Sequence, residues 1–372
     1  MAKKKTSLII NILVVLNLSV FLCLAFAIAA AFINPSKSWV FAFFGLAYPV
    51  FLLINLAFVL LWLILWKKYI FISILVILVG WNQLTSFYPF RISRLKPQSD
   101  HSITLISYNI HRLYGNKQAS SIPETRSKVT DFLADHRADI LCIQEFFAVG
   151  EDSDKIISRF TGTLGLPYAY YKNYKKFWNK TMINAIATFS RYPIVNRGEF
   201  RIEGKDFFAI FTDIAAGKDT IRVYNLHLEP FRFGNEDIAF YDNLTSPGSE
   251  TPPLKKSTRK MIWKLKKAFI ARSKQVDILT REMEYSPYPI LVCGDFNDTP
   301  FSYTYRQLSR NLKDSFQEAG YGFFGETYAG KLPAFRIDYI LFDKFFTVSG
   351  YRKFIIDLSD HYPIAATLNM NH

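Results

Sequence analysis

The first 99 residues of this 372-residue chain contain no aspartate and no glutamate. The same segment holds nine lysines and arginines, so only +5 of the formal net charge of +14 belongs to the other 273 residues. The basic balance of the chain is therefore largely a property of its amino-terminal segment. It does not by itself indicate a nucleic-acid-binding protein.

Cysteine is also scarce. The three cysteines, Cys23, Cys142 and Cys293, are far apart and lie in apolar runs. No cysteine cluster and no His-x-x-x-His pattern accompanies them. This argues against a disulfide framework and against a typical zinc site, and it predicts that the cysteines are buried as small apolar side chains.

Long apolar runs fill the amino-terminal segment instead. They predict three membrane-spanning helices at about residues 7–33, 39–66 and 69–87, the third being shorter and ending in the more polar GWNQLTSF. A cleaved signal peptide is the rival interpretation of the first run, because Lys3–Lys5 form a basic start. The run exceeds the ~7–15 apolar residues of such a peptide, so we favour a retained helix.

The loop lysines predict the orientation of these helices. Lys3–Lys5 and the pair Lys67 and Lys68 would face the cytoplasm, and three spans then place the carboxyl-terminal part outside. The bias is slight, five basic residues against four, and one span fewer reverses the side. We therefore expect a multi-pass protein of a bacterial inner membrane with an extracytoplasmic domain.

The rest of the chain has an ordinary globular composition. We expect an anchor over residues 1–90, a linker over 91–101 and one domain over 102–372. Helices are predicted at RSKVTDFLADHR and over residues 255–284. Strands are predicted at SITLISYNI, DILCIQEF, AIATFS, DFFAIFTDI, TIRVYNLHL, PILVCGDF, RIDYILF and PIAATLNM. Strands and helices in this mixture predict an α/β domain in which sheets pack together with helices outside.

Polar residues gather where these predicted strands end. Each of them has an ordinary structural role open to it, such as capping a turn or pairing with an arginine. A buried carboxylate such as Asp338 in RIDYILF needs a partner, and His361 is the natural one. The residues concerned are Asn109, Glu145, Asn225, His227, Asp295, Asn297, Asp338, Asp360 and His361.

The set combines oxygen ligands with two histidines, which suits Mg²⁺ or Mn²⁺ better than Zn²⁺. A cation held by Glu145 with help from Asn109 would polarise a phosphoryl oxygen. Asp295 would orient or deprotonate a water, Asn297 and His227 would donate to phosphate oxygens, and His361 held by Asp338 would add positive charge. The chemistry indicated is hydrolysis of a phosphoester.

The motifs SYNIH, IQEF, SRYPIV, YNLHL, GDFND, RIDYILF and SDHYPI, in this order, resemble the endonuclease/exonuclease/phosphatase superfamily over nearly all of residues 102–370. The resemblance implies a four-layered α/β sandwich, in which two mainly antiparallel sheets are flanked by helices, and metal-dependent phosphoester cleavage.

Residue by residue, the resemblance implies three kinds of role. Asn109 and Glu145, with Asp360, would lie on the metal side, and His227 would contact the phosphate. Asp295 and Asn297 match the GDxN pair. Asp338 matches the aspartate that orients the terminal histidine, His361, within the closing SDH.

The substrate stays open between a phospholipid headgroup and a nucleic acid. Residues 255–274 hold nine lysines and arginines and no acid, interleaved with apolar residues. This pattern fits a core helix with a solvated basic face, a surface for anionic lipid or a surface for nucleic acid. Residues 168–181 (YAYYKNYKKFWNKT) would line a groove or cover a sheet edge. Candidate substrate-binding residues are Asn225, Lys264 and Lys267.

The function predicted is that of a membrane-anchored, metal-dependent phosphoesterase, with the bilayer as a partner. An extracytoplasmic nuclease is the alternative enzyme. A binding or scaffold protein without catalysis is the alternative of a different class.

Overall fold

The computed structural model describes residues 2–87, 89, 97–113, 122–149, 153–173, 182–203, 206–234, 236–237, 254–322, 325–330 and 335–371. Residues 91–96 of the predicted linker lie outside them. Ten α-helices occur in the described part: α1 Ala2–Ala29, α2 Val40–Leu46, α3 Tyr48–Ile64, α4 Ile70–Val79, α5 Trp81–Phe87, α6 Ile122–Asp135, α7 Ser153–Leu164, α8 Leu254–Glu284, α9 Tyr303–Leu308 and α10 Ser315–Ala319.

Twelve strands follow or alternate with these helices in the same described part. They are β1 Ser102–Asn109, β2 Ile140–Val149, β3 Tyr168–Asn173, β4 Met182–Ser190, β5 Ile194–Arg201, β6 Phe207–Ala216, β7 Asp219–His227, β8 Ile290–Asp295, β9 Lys313–Asp314, β10 Asp338–Phe342, β11 Phe346–Lys353 and β12 Ile364–Met370.

The amino-terminal helices differ from the three spans that the apolar runs predict. In the described residues only α1 is a straight helix long and apolar enough to cross a membrane, over Leu8–Ala29. Helices α2 and α3 reach that length only together, and they are bent by 64°. Helix α4 has ten residues, about 15 Å, against a hydrocarbon core of about 30 Å. The prediction of three spanning helices is therefore wrong: the structure supports one, or two if the bent pair is one span.

The bend has a local cause. Pro49 stands in the first turn of α3, where its missing N–H would otherwise have bonded to a carbonyl of α2. Composition alone does not reveal this break, because both sides of it are equally apolar.

A buried polar network joins three of the amino-terminal helices. Asn17 donates to the hydroxyl of Ser73 at 2.7 Å, and Ser73 donates to Asn55 at 2.9 Å. The indole N–H of Trp62 donates to Asn17 at 2.8 Å. Interhelical hydrogen bonds of this kind hold helices together where an apolar surround offers no other partner. Helices α1, α3 and α4 therefore pack as one bundle.

The twelve strands form two mixed six-stranded sheets. Their orders are β11-β12-β1-β2-β4-β3 and β5-β6-β7-β8-β10-β9. Each sheet has one parallel pair, β1 with β2 and β7 with β8, and its other pairs are antiparallel. A parallel pair requires a crossover, which α6 and α8 supply. This confirms the predicted α/β arrangement.

Three apolar clusters separate the layers. One lies between the two sheets and includes Cys142, Cys293 and Ile364. A second packs α6 and α7 onto the first sheet, and a third packs α8 and α9 onto the second sheet. Cys142 and Cys293 are fully buried, as their apolar surroundings predict. The helices thus cover the outer faces, and the strand ends are left to carry polar groups.

The amino-terminal bundle contacts the layer of α8 and α9. The rings of Tyr48 and Phe301 are stacked with centroids 4.0 Å apart, and both residues are 1 % exposed. Asn34 donates to Asp277 of α8 at 2.9 Å. The bundle and the two-sheet domain therefore share a buried interface.

Gly294 provides a test of the packing between β7 and β8. Its φ is +129°, and a Cβ there would lie 2.1 Å from the carbonyl oxygen of Leu226. We expect Gly294→Ala to destabilise the protein by about 1–3 kcal/mol or more, because the neighbouring strand must move. The matched control is Gly350→Ala, since a Cβ at Gly350 meets nothing within 4 Å. Thermal melting of the full chain in detergent measures both, and an equal melting temperature for the two variants would contradict the close approach.

Candidate active site

Strand register brings three of the predicted polar residues to one edge of the second sheet. Asp295, the last residue of β8, pairs in register with His227, the last residue of β7. On the other side, Asp295 pairs with Asp338, the first residue of β10. The strand ends thus place an acid between a histidine and a second acid, and Asp295 is 1 % exposed.

The first sheet contributes Asn109 from the end of β1. Its Nδ2 donates to Oδ2 of Asp295 at 3.0 Å, and its Oδ1 accepts from the backbone N–H of His111 at 3.0 Å. Asn109 is 2 % exposed. This hydrogen bond joins the polar edges of the two sheets.

Glu145 enters from β2 at an irregularity in its pairing with β4, between Ile143 and Phe146. Its φ is +53°, a left-handed conformation that a side chain rarely adopts. Such a bulge redirects a side chain. Oε1 of Glu145 consequently lies 3.6 Å from Nε2 of His227, which is itself 3.8 Å from Oδ2 of Asp295.

The corner after β8 is held by its own side chains. The backbone N–H of Asn297 donates to Oδ1 of Asp295 at 2.7 Å. The Asn297 amide donates to Oδ2 of Asp295 at 3.1 Å and to the carbonyl of Leu228 at 3.0 Å. GDFN is therefore a turn whose two polar side chains, Asp295 and Asn297, face the other polar residues at the strand ends. The polar strand-end residues are called the cluster below: Asn109, Glu145, His227, Asp295, Asn297, Asp338 and His361.

His361 lies on the other side of Asp295. Its Nδ1 is 2.9 Å from Oδ2 of Asp338, and its Nε2 is 3.8 Å from Oδ2 of Asp295. One ligand atom each from Asp295, Asp338 and His361 lie within 4.8 Å of one another. The predicted pairing of His361 with Asp338 is the pairing that the structure contains.

Backbone strain is concentrated around this cluster. Seven non-glycine residues of the described part have positive φ, and four of them are His111, Arg112, Glu145 and Asn297. Each such residue costs on the order of 1–3 kcal/mol and persists only where its surroundings hold it. Four of the strained residues thus lie at the same strand ends as the candidate site.

The electrostatics of the cluster follow from its burial and its mixed charges. Burial is the main cause that raises the pKa of Asp295 to about 6; the Asp338 carboxylate adds to the effect, and His361 and His227 oppose it. Burial disfavours the charged form of His361, but Asp338 and Asp295 outweigh it and hold the pKa of His361 well above its usual value. His361 is therefore a cation at neutral pH, next to a carboxyl whose pKa is raised to about 6.

Asp360 lies at the rim of the cluster. Its Oδ1 is 3.2 Å from Nδ1 of His111 and 4.0 Å from Nε2 of His361, and its side chain is 20 % exposed. The structure therefore brings Asp360 close to the other site residues, as its place in the SDH motif predicts.

Three predicted substrate-binding residues are not brought to the cluster. Asn225 is fully buried between the sheets, where its Nδ2 donates to the carbonyl of Ala187 at 2.9 Å and its Oδ1 accepts from Gln144 at 2.7 Å. Its amide is thus occupied by protein, and its predicted contact with substrate is corrected to a role between the sheets.

The two lysines of α8 have other partners as well. Nζ of Lys264 forms an ion pair with Asp237 and donates to the carbonyl of Arg232. Nζ of Lys267 lies over the Trp263 ring, 4.8 Å from its centroid. Neither lysine contacts the cluster in the described residues, so their role in substrate binding stays a prediction.

Sequence reasoning missed Arg112, His111 and Tyr328. Nε of Arg112 is 3.2 Å from Oε2 of Glu145, and the Tyr328 ring lies edge-on to His361 with centroids 5.5 Å apart. His111 and Arg112 come two and three residues after Asn109, so the whole segment SYNIHR could have indicated that they lie at the site. Tyr328 lies in a loop and carries no local sequence signal.

The residues present fit a hard divalent cation. Glu145 and Asp360 are partly exposed carboxylates at the rim, and the Asn109 carboxamide and the Asp295 carboxylate lie behind them. All of these offer oxygen, the ligand that Mg²⁺ and Mn²⁺ prefer. Oδ1 of Asp338 is a buried oxygen without a hydrogen-bond partner in the described residues, and it lies behind the cluster.

Solved structures share this fold. The chain is similar to an endonuclease/exonuclease/phosphatase from Beutenbergia cavernae (16 % identity, 73 % of this chain and 72 % of that one, TM-score 0.51). It is also similar to the endonuclease/exonuclease/phosphatase from Bacteroides vulgatus (18 % identity, 73 % and 99 %, TM-score 0.50). The catalytic domain of human Nocturnin with bound sulfate is a third (16 % identity, 74 % and 97 %, TM-score 0.50).

Family models match two parts of the chain, and no curated protein matches it. Residues 10–87 match a domain of unknown function, DUF8431. Residues 106–361 match the model described as the endonuclease/exonuclease/phosphatase family, which covers more than half of the chain and spans every residue of the cluster. The chain belongs to the endonuclease/exonuclease/phosphatase family.

Proposed function

We propose that the chain is a membrane-anchored, divalent-metal-dependent phosphoesterase that cleaves a phosphodiester or phosphomonoester by in-line attack of water. The observation that carries this proposal is the buried Asp295 carboxylate, which lies within hydrogen-bonding or ion-pair distance of Asn109, Asn297 and two histidines. Family membership supports phosphoester hydrolysis in general, and the geometry supports the assignment of roles.

Glu145, with Asn109 and Asp360, would hold the cation. When bound, Mg²⁺ or Mn²⁺ would supply positive charge to a phosphoryl oxygen and to the leaving oxygen. Glu145 suits this role because its carboxylate is 18 % exposed, faces the cluster and lies near two nitrogen atoms, Nε of Arg112 and Nε2 of His227.

Asp295 would orient and deprotonate the attacking water. A general base works best when its pKa lies near the working pH, and burial raises the pKa of Asp295 to about 6. The Asn297 and Asn109 amides donate to this carboxylate and fix its direction. The base is therefore held in place before a substrate arrives.

His227, His361 and Arg112 would bind the phosphate oxygens. Asp338 keeps His361 protonated and aims its Nε2 at the cluster, where positive charge stabilises the negative charge of the transition state. Arg112 is 45 % exposed, so its guanidinium can turn from Glu145 to an entering phosphate.

A nuclease is the second candidate enzyme, since the same site chemistry serves any phosphodiester. A binding or scaffold protein is the candidate of a different class. The strained and buried site argues against the scaffold, because holding Glu145 and Asn297 at positive φ lowers stability and has no use in a protein without catalysis.

The contacts made by the residues just after α1 also support an assignment of the domain to one side of the membrane. Asn34 and Ser36, just after α1, contact Asp277 and Ser273 of α8, so the domain lies at the carboxyl end of α1. The lysines at residues 3–5 lie at the other end of this 28-residue helix, whose length is about 42 Å. If these lysines are cytoplasmic, the domain is extracytoplasmic, however many of the later helices cross.

Loss of Asp295 tests the chemistry. We expect Asp295→Asn to lower hydrolysis by about 10²–10⁴-fold, because the general base is lost. The assay uses the full chain in detergent with Mg²⁺, on plasmid DNA, on sphingomyelin-type phospholipid and on a phosphoinositide headgroup. The exposed Asp206→Asn is the matched control. Full activity of Asp295→Asn on a substrate that the wild type cleaves would refute the proposal.

Metal binding separates an enzyme from a scaffold. We expect Mg²⁺ to raise the melting temperature of the wild type and chelator to reverse this, because a ligand that binds only the folded state stabilises it. Glu145→Gln should abolish most of the rise, whereas the exposed Glu203→Gln should keep it. A rise that persists in Glu145→Gln would place the cation elsewhere, and no rise in the wild type would favour the scaffold.

Cysteine labelling tests the side of the membrane. Ile355→Cys, at a residue that is 74 % exposed in the domain, should react with a membrane-impermeant maleimide in intact cells. Ala2→Cys should react only after permeabilisation. The variants are made in a Cys23→Ser background, and labelling of the other cysteines is low because Cys142 and Cys293 are buried. The reverse pattern would place the domain in the cytoplasm.

A further inference from the structure

Helix α8 is much longer than the sheet it crosses. Its 31 residues span about 46 Å, whereas the six residues of β8 span about 20 Å. It connects the site end of β7 to the opposite end of β8, and Val276 and Leu279 in its second half pack on the sheet. The amino-terminal half of α8 therefore extends past the edge of the sheet that carries the site.

This half presents an exposed stripe of basic and apolar residues. Ile262 is 41 % exposed and Trp263 is 58 % exposed, and they are the only adjacent pair of exposed large apolar residues among the described residues from 97 onward. Residues at helical spacing around them are basic and exposed: Arg259, Lys267 and Lys274. We call these five residues the α8 stripe.

The acidic residues near α8 pair with basic residues outside the stripe, so they do not neutralise its positive charge. Glu236 pairs with Lys260, Asp237 with Lys264, and Asp298 with the buried Arg272. Within the described ranges, Arg259, Lys267 and Lys274 of the stripe have no acidic partner. A face of this composition, cationic with an exposed tryptophan, is that of a helix lying in a membrane interface.

The stripe is continuous with the anchor. Nζ of Lys266 lies 4.9 Å from the centroid of Trp39, the residue that precedes α2. The ring of Phe269 contacts Phe43 of α2, with centroids 5.4 Å apart. Tryptophan is enriched at the boundary between lipid and water. Trp39 lies at the end of α1 that meets the domain, where the membrane surface would be if α1 crosses the bilayer, and α8 touches it.

The same helix is tied to the candidate site. The Arg272 guanidinium donates to the carbonyl of Glu229 and to Asp298, which follow His227 and Asn297 closely in the chain. Phe301, a few residues further, stacks on Tyr48 of the anchor. The orientation of α8 on the membrane therefore sets the orientation of the site.

We propose that the α8 stripe lies on the surface of the membrane that holds the anchor, where its basic residues bind anionic phospholipid headgroups and Ile262 and Trp263 enter the interface. Exposed isoleucine beside tryptophan and contact with the anchor favour a bilayer over nucleic acid as the partner. The docking rests on the membrane anchoring in the proposed function. Its consequence, that the site is presented to phosphoesters carried at the bilayer surface, rests also on the proposed phosphoesterase activity.

Fluorescence quenching in nanodiscs tests the docking without measuring activity. The full chain carries an environment-sensitive probe on Ile262→Cys, or on Lys267→Cys as a second position, in a Cys23→Ser background. Lipids bearing a nitroxide near the headgroup serve as quenchers, in phosphatidylcholine alone or in an equimolar mixture with phosphatidylglycerol. We expect strong quenching at both positions in the anionic mixture and weak quenching of a probe on Ile355→Cys, which is exposed beside the layer of α6 and α7.

Charge removal supplies the matched comparison. Replacing Arg259, Lys267 and Lys274 with Gln, with the probe at residue 262, should weaken the docked state by about fivefold for each charge removed. Replacing Lys218, Lys313 and Lys344, which are exposed at the opposite end of the sheets, should leave quenching unchanged. High salt should reduce quenching in the wild type, because the attraction is screened.

Two outcomes would overturn the proposal. One is equal quenching at residues 262 and 355 in the anionic mixture. The other is a probe at 262 that lipid does not quench but that duplex DNA shields from a soluble quencher, which would assign the stripe to nucleic acid. If the wild-type chain shows the expected quenching but has no phosphoesterase activity, the result counts against the proposed function and not against the docking.

Discussion

The buried carboxylate of Asp295 is the constraint on which the site depends. It terminates β8, accepts hydrogen bonds from Asn109 of the other sheet and from Asn297 of its own turn, and faces two histidines. A charge in this position is unfavourable unless such partners surround it. The two sheets therefore have to meet in one register at this edge, and the left-handed residues around it are held by the same requirement.

A second dependence links the site to the amino-terminal bundle. The turn that carries Asp295 and Asn297 continues to Phe301, which is buried against Tyr48, and α8 joins both regions through Arg272. The bundle is itself ordered by the hydrogen bonds of Asn17, not by apolar packing alone. The amino-terminal bundle thus forms part of the packing behind the site.

The strands that the sequence predicts and those that it misses differ in their position within the sheets. The eight predicted strands are the eight interior strands of the two sheets, and the four missed ones, β3, β5, β9 and β11, are the four edges. An interior strand is buried on both sides and reads as an apolar run, whereas an edge strand such as β5 is mostly exposed or partly exposed. The sequence predicts that the polar-aromatic segment 168–181 lines a groove or covers a sheet edge. Its first residues form the edge strand β3, and residues 174–181 lie outside the described ranges.

The α/β class, the order of the motifs and the oxygen-rich donor set could be predicted from the sequence alone, because each of them depends on local runs of residues. The pairing of Asp338 with His361 could be predicted because a buried carboxylate needs a partner. Tertiary structure decided that Asn225 is used between the sheets, that Arg112 faces Glu145, and that Lys264 is paired with Asp237. It also decided that the second apolar run is bent at Pro49. Hydropathy and motif order describe residues one at a time, whereas these outcomes depend on partners brought from distant segments and on the direction of the backbone.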